Sequence, residues 1–257
     1  MTINSIPSLP LLDRGLIDYD NIYPNRQMVK IFGRAPDVDN TYVDAWEGPT
    51  STYVFPATAQ QMAVVSTSAN DTSAGTGVQK VTIQYLDNSY NPQTEVVTLN
   101  GTTPVNTVAT NILRVNKMYA SQVGTNHYPV GDIALKNTGG TVTYSQMKAG
   151  RNTAQQIIYT VPAGKTLYIS QWFAAAGASA ANHFTQIILR STAWDGYSVT
   201  GGGFLTVDPV SAQDGNVVQP FIIPIKIPAT SDIKVSAISD GGSANVIVTA
   251  SIIGWYE

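Results

Sequence analysis

The 257-residue chain contains no cysteine, and this absence excludes several kinds of chemistry together. Without thiols the chain can form no disulfide, no thiolate nucleophile and no thiolate zinc site. Histidine is almost as scarce, since His127 and His183 are the two in the sequence, and they fall in different predicted domains. A catalytic triad or a histidine metal site would have to use one of them across that divide.

Charge is also in short supply. Charged residues make up 12% of the chain, about half of the usual ~25%. The 14 lysines and arginines are scattered singly and the net charge is −3, so no basic stripe is available for a phosphate backbone and nucleic acid is not an expected partner. A surface of Ser, Thr, Asn, Gln and Gly can contact another protein without dehydrating many ions. The composition therefore suits an assembly protein, although a plain Thr-rich β protein has the same composition.

Long apolar runs are missing as well. No stretch approaches the ~18 apolar residues that span a bilayer, and the first 30 residues lack the basic start and continuous apolar run of a signal peptide. We therefore expect no membrane partner, and synthesis and folding in the cytosol.

What the chain does contain is a series of short alternating segments. Val81, Ile83 and Tyr85 alternate with polar residues, the period-2 pattern of a half-buried strand. A turn at Asn91-Pro92 separates this strand from a second one over 94–99, which ends at Asn100-Gly101, a strong hairpin signal. Similar segments recur about every ten residues along the chain, which is typical of sandwiches and jelly rolls.

These segments predict an all-β protein in three parts: an extended N-terminal arm over 1–50, a β-sandwich domain over 51–150, and a second, jelly-roll-like β-sandwich over 151–257. The arm is assigned because prolines interrupt every helix that it could form, yet it is too apolar for a solvated tail. It requires a surface to lie on, and that surface belongs either to a neighbouring subunit or to its own domain.

Three short stretches resemble uncharacterised virion structural proteins of tailed phages. They are SANDTSAGTG at 68–77, VTIQYLD at 81–87 and EVVTLNGTTPV at 95–105, and the segments 32–39, 46–56 and 159–169 fit the same proteins. The resemblance covers roughly residues 30–170. It implies a virion component with no agreed role, so no functional residue can be carried over from the family.

Motifs for chemistry are absent or better explained as turns. Residues 37–40 (DVDN) begin like a calcium loop, but Tyr42 and Gly48 stand where that loop needs glycine and glutamate. Gly164-Lys165-Thr166 imitates the end of a phosphate loop, but Tyr159 stands where its first glycine belongs.

Two sets of side chains remain as candidates from the sequence. Carboxylates that could pair for glycoside hydrolysis are better explained by turns; they are Asp195, Asp208, Asp214 and Asp232. Aromatic residues that could stack on sugars are more often used in cores and contacts; they are Trp172, Trp194, Tyr197 and Phe204. We therefore predict no catalytic, cofactor-binding or metal residues, no cofactor, and no enzymatic activity.

The leading hypothesis is a capsid cement or decoration protein that binds the major capsid protein on the virion surface after assembly in the host cytoplasm. The alternative is a tail fibre or collar component that grips a host glycan through loops such as 195–203. Self-association as a homotrimer is predicted because the last strand, 245–255, is apolar on both faces: Val246 and Val248 begin one row, while Ile247 and Ile253 lie on the other.

Overall fold

The computed structural model of the chain describes residues 26–177, 184–240 and 246–257. Across these residues the regular structure consists of β-strands and no helix is present, which confirms the all-β prediction. The strands are β1 (Gln27–Val38), β2 (Val43–Asp44), β3 (Met62–Ser66), β4 (Val78–Leu86), β5 (Pro92–Thr98), β6 (Val105–Asn106), β7 (Arg114–Val123), β8 (Ile133–Asn137), β9 (Thr143–Met147), β10 (Ile158–Thr160), β11 (Leu167–Gly177), β12 (Thr185–Ser191), β13 (Ala193–Trp194), β14 (Tyr197–Ser198), β15 (Leu205–Ala212), β16 (Gly215–Ile227), β17 (Asp232–Ser239) and β18 (Val246–Tyr256).

The C-terminal half forms a jelly roll together with β1 and β2. One sheet has the order β1-β18-β11-β16, and the facing sheet has the order β10-β17-β12-β15, with β2 also paired to β17. If β2 and β10 are counted as one strand, the eight strands are arranged 1-8-3-6 and 2-7-4-5, which is the double-sheet jelly-roll arrangement. Buried Val, Ile, Leu and Ala side chains from both sheets, with Trp172 among them, fill the space between the two sheets.

The second strand of the jelly roll is interrupted by a whole domain. β2 and β10 lie end to end along β17, because Val43 and Asp44 pair with Ala237 and Ser236 while residues 158–160 pair with 232–234. The chain leaves the sheet after Ala45 and returns at Ile157, whose N–H donates to the carbonyl of Ala45 at 2.8 Å. The intervening residues form the inserted domain.

The inserted domain is a smaller β-sandwich with its own core. Its two sheets have the orders β6-β3-β8-β9 and β5-β4-β7. The apolar row predicted on β4 is buried, since Val81 and Ile83 are fully inaccessible and Tyr85 is 7% exposed. Met62, Met118, Ile133 and Leu135 belong to the same core, so the inserted domain buries a hydrophobic centre separate from that of the jelly roll.

Part of the predicted arm is a jelly-roll strand. Residues 27–38 pair antiparallel with β18, from Gln27 opposite Tyr256 to Val38 opposite Val246. At Gly33 this strand packs closely against the backbone of Ala45 and Ile157. A Cβ added at Gly33 would lie 2.5 Å from the N of Ile157 and 2.6 Å from the O of Ala45. These residues therefore fold back on their own chain, while residues 1–25 of the predicted arm lie outside the described residues.

The Asn100-Gly101 turn does not close a hairpin. Gly101 has φ of +60° as expected of such a turn, but the next strand, β6, pairs with β3 in the other sheet of the inserted domain. The turn packs against the loop over 66–72, where Gly101 donates its N–H to the O of Asp71 at 2.8 Å. Tertiary contacts with that loop redirect the chain, and the local sequence carries no signal for them.

The two domains meet through a polar and aromatic interface. Arg114 of β7 makes a two-pronged ion pair with Asp232 of β17, with distances of 2.8 Å and 3.0 Å from its Nε and Nη2 to the carboxylate oxygens. Nearby, Asn116 donates from Nδ2 to the carbonyl of Thr160 and accepts at Oδ1 from its N–H, both at 2.9 Å. Arg114 also lies over the ring of Phe55, 5.3 Å from its centre. Polar groups on both sides are thus paired within the chain.

Candidate interaction surface

The four candidate carboxylates serve separate structural roles. Asp195 and Asp214 occupy turns with positive φ, of 45° and 48° respectively. Asp208 of β15 accepts a hydrogen bond from the indole N–H of Trp172 at 2.7 Å. Asp232 is held by Arg114 and by the hydroxyl of Thr160 at 2.6 Å. Each has a local reason for its position, and the structure does not assemble them into one cluster of acids.

The remaining sequence motifs are turns as well. Asp39 accepts from the N–H and the hydroxyl of Thr41 at 3.0 Å and 2.9 Å, which closes a local turn after β1. Gly164, with φ of +69°, lies in the tight turn that joins β10 to β11. His127 also has positive φ and lies in a turn of the inserted domain. His183 lies outside the described residues.

The four aromatic candidates divide between core and surface. Trp172 is 1% exposed in the jelly-roll core. Phe204 stacks on Phe55 of the inserted domain, with ring centres 5.7 Å apart. Trp194 and Tyr197 form a pair 5.6 Å apart in the β13–β14 hairpin, where Tyr197 is 64% exposed. This hairpin pair is the part of the set that a sugar could reach.

Two classes of site find no support in the described ranges. Among residues 26–177, 184–240 and 246–257, no group of three or more His, Asp or Glu side chains could hold a metal ion. The same ranges contain no helix long and apolar enough to cross a membrane.

The outward side of the β1-β18-β11-β16 sheet, which we call the outer face, is rich in apolar side chains. β18 shows why: Val246, Val248 and Ile252 are fully buried toward the core, whereas Ile247 on the opposite side is 41% exposed. The strand register places Phe32, Ser251, Phe173 and Val218 side by side across the four strands. Phe32 is 36% exposed and Val218 is 56% exposed. The two apolar rows predicted on the last strand are therefore present, one inside and one outside.

One end of the outer face is closed by aromatic stacking. Tyr168 and Trp255 stack with ring centres 5.6 Å apart and planes at 9°. The guanidinium of Arg26 lies 5.1 Å from the centre of the Trp255 ring and pairs with Glu257 at 2.5 Å. Met28, which is 42% exposed, lies opposite Trp255 in the strand register at this end of the face.

Edge strand β16 carries the most exposed pair of isoleucines in the described chain. Its pairing with β11 jumps from Pro220, opposite Gln171, to Ile225, opposite Ile169. Residues 221–224 therefore bulge outward from the ladder, and Ile222 and Ile223 are 85% and 82% exposed. We call residues 221–224 the knob. Phe221 and Ile225 pack against the core on either side of the two isoleucines, so the knob is anchored at both ends.

Sequence reasoning missed the knob because residues 217–227 read as one continuous apolar strand. The available signal was the pair of prolines: Pro220 and Pro224 bracket Phe221-Ile222-Ile223. Proline cannot donate to a β-ladder, and within sheets it is confined to edges and bulges. Two prolines four residues apart in an apolar strand therefore indicate an edge with a bulge.

A groove of about 530 Å³ lies at the opposite edge of the same sheet, between β1 and the inserted domain. Its jelly-roll wall is formed by residues 27–32 of β1, and its other wall includes the β4–β5 hairpin around Pro92 and Thr94. Lys30 and Lys117 are the charged residues among those that line it. The groove is thus a cleft beside an edge strand, with two lysines and no acid in its lining.

No family model matches the chain, and no curated protein matches it either. Solved structures that the chain resembles include particles of infectious bursal disease virus. The structure of the Gt strain gives a TM-score of 0.21 at 9% identity, over 90% of this chain and 72% of that chain. Particles with T=1 symmetry derived from the same virus give 0.21, again at 9% identity, over 90% of this chain and 69% of that chain. Similarity at this level carries no argument about function.

Proposed function

We propose that this protein is a structural component of a virion that works by binding and not by catalysis. The observation that carries the proposal is a jelly roll whose outer face and edge strand β16 expose apolar side chains, while the inserted domain contacts it through β10 and β17. Jelly rolls occur in viral capsid proteins and in lectins. The fold therefore suits both a virion component and a glycan-binding protein, and it assigns neither function. Exposed apolar patches of this kind usually mark contacts with other proteins.

Within that class we propose shell decoration, with the major capsid protein as partner. The resemblance of residues 30–170 to tailed-phage virion proteins favours a phage shell. The low charge of the chain, 12% of its residues, supports many shallow contacts with little cost from dehydrating ions. Residues 1–25, apolar and interrupted by Pro7, Pro10 and Pro24, are the proposed anchor, and several weak contacts would add up by avidity.

Self-association as a homotrimer on the shell is part of this proposal. A trimer suits threefold positions of an icosahedral shell. The apolar residues Phe32, Val218 and Ile247 supply outer-face surface that another protein could cover.

The test of shell decoration is copy number and attachment. Quantitative mass spectrometry of purified virions should find hundreds of copies of this chain per particle, whereas a dozen or fewer would indicate a tail or collar component. Purified full-length chain should rebind to shells that lack it. A variant without residues 1–25 should bind far more weakly, and unchanged binding of that variant would remove the arm as the anchor.

A second candidate function, glycan binding in a fibre or collar, is favoured by one observation. Trp194 and Tyr197 form an aromatic pair on the β13–β14 hairpin, and Tyr197 is 64% exposed. Aromatic faces of this kind stack on sugar rings. Screening the chain against host-surface glycans, with Tyr197→Ala as the loss variant and Tyr128→Ala, 50% exposed in the inserted domain, as the control, tests this alternative.

A further inference from the structure

The knob and the groove lie at opposite edges of one sheet. β16, which carries the knob, and β1, which lines the groove, are the two end strands in the order β1-β18-β11-β16. A second copy rotated beside the first can therefore present its knob to the groove of the first without bringing knob against knob. Contacts between two different patches of the same chain are heterologous, and they close into a ring when the rotation closes.

The knob is poorly suited to adding a strand. Pro220 and Pro224 have no N–H, so the backbone at both ends of the knob lacks a donor for a new ladder. Natural edge strands use prolines and bulges to prevent uncontrolled pairing, and they commonly add charged side chains for the same purpose. Here the side chains that the bulge presents are Ile222 and Ile223. Exposed isoleucines do not protect an edge, so the knob is suited to inserting side chains into a pocket.

The groove is suited to receive them. Its volume of about 530 Å³ is within the range of about 300–1,000 Å³ for clefts that enclose ligands larger than two isoleucine side chains. Met28 and Phe32 contribute to its wall and are 42% and 36% exposed. Residues 215–225 of the knob strand contain no charged side chain. The two lysines of the groove, Lys30 and Lys117, are both exposed, so their ammonium groups can stay in water when the uncharged knob enters.

We propose that copies of this protein join head to tail, with Ile222 and Ile223 of one copy seated in the groove between β1 and the inserted domain of the next. This deepens the self-association part of the proposed function. It is tested in solution without any shell, so its failure and a failure to bind shells are distinguishable. Three contacts of this kind close a ring with a mass of about 82 kDa, three times the 27.4 kDa chain.

The first experiment measures mass by light scattering or sedimentation over a range of concentrations. The full chain should associate toward the ring mass as its concentration rises. The double variant Ile222→Ser/Ile223→Ser should raise the dissociation constant at least about 100-fold, because it removes two large apolar groups from the contact. The matched control is Val108→Ser, since Val108 is 89% exposed in the inserted domain and lies outside the contact. A full chain that stays monomeric, or a double variant that associates like the control, overturns the proposal.

The second experiment tests the head-to-tail arrangement by disulfide cross-linking. Because the chain has no native cysteine, only the introduced thiols can form disulfides. One sample carries Ile222→Cys and a second carries Thr94→Cys, an exposed groove residue. Mixed under mild oxidation, the two should cross-link faster than either sample alone and faster than Ile222→Cys mixed with Val108→Cys. Equal rates in all mixtures, or faster cross-linking of Ile222→Cys with itself, would exclude a knob-to-groove contact. All three positions are on the surface, so the variants are expected to fold.

Discussion

The two sides of the jelly roll differ in the side chains that they present. The side that faces the inserted domain is held by polar pairs, such as Arg114 with Asp232 and Asn116 with Thr160, and every one of these partners comes from the same chain. The other side, formed by the outer face and the knob, exposes isoleucine, valine and phenylalanine.

This difference has a physical consequence for the two surfaces. A buried charge is tolerated only when its partner is fixed in place, and a single chain can guarantee that partner. An apolar surface needs no such precise partner, but it gains free energy when another molecule removes it from water. The polar side is therefore paired within the chain, and the apolar side is where we propose that other molecules bind.

The largest effect should come from removing strand β1, an end strand of the sheet that carries the outer face. Removing residues 1–45 deletes β1 and β2, and with them the buried core residues Val29, Ile31 and Val38. Each contributes about 1.5–3 kcal/mol by burial, out of a total stability of about 5–15 kcal/mol. We expect this variant to lose cooperative thermal unfolding in circular dichroism. A variant that lacks residues 1–25 keeps every described strand and should melt like the full chain, and a similar melt for both truncations would show that β1 is dispensable.

Next in size is the ion pair between the domains. Arg114→Ala leaves the Asp232 carboxylate, whose side chain is 12% exposed, without its cation. Breaking such a pair typically costs about 3–5 kcal/mol. The control is Lys148→Ala, which breaks the exposed pair with Asp132, where the side chains are 38% and 30% exposed, and which should cost about 0–1 kcal/mol. Urea denaturation measures both, and equal losses would mean that the domain interface contributes little.

The two faces of β18 provide a comparison within one strand. Ile252 is fully buried and Ile247 is 41% exposed. Ile252→Ser should destabilise the chain by about 2–5 kcal/mol, whereas Ile247→Ser should stay within about 0.5 kcal/mol of the parent. If Ile247→Ser proves as harmful as Ile252→Ser in thermal or urea denaturation, the outer face is covered within the chain and is not open for a partner.

The smallest effect concerns acid. Burial alone would raise the pKa of Asp87, but hydrogen bonds from the N–H groups of Asn91 and Ser89 outweigh it and lower that pKa. A pKa lowered by folding means that the carboxylate stabilises the protein above its unfolded pKa of about 3.9 and that this contribution is lost as the pH falls through the lower folded value.

Asp87→Asn should therefore lower stability at neutral pH and flatten its acid dependence, as melts between pH 3 and pH 7 would measure. Asp87→Ala should lose as much stability as Asp87→Asn at each pH at which Asp87→Asn is destabilised. A stability curve with unchanged slope in acid would rule out this carboxylate as a source of acid sensitivity. Association through the apolar knob should show no comparable change over the range in which the protein remains folded.

Much of the strand content could be predicted because alternation is a local property. The alternating segment over 81–85 lies within β4 in the structure, because burial of one face imposes a period of two on neighbouring residues. The candidate surface was predicted in part: Ile247 was placed on an outward row from its position in the strand. The groove had no local signal, because its walls come from residues 27–32 of β1 and from residues such as 84–94 of the inserted domain, more than 50 positions later in the chain.

The sequence by itself determined that this is an all-β protein of low charge with two apolar rows on its last strand. The tertiary structure alone decided that β1 pairs with β18 from the far end of the chain, that a domain interrupts the second jelly-roll strand, and that Ile222 and Ile223 leave the ladder. The physical reason is that side-chain alternation is set by neighbours one and two residues away. The choice of pairing partner, and hence of what remains exposed, depends on contacts between residues distant in the chain.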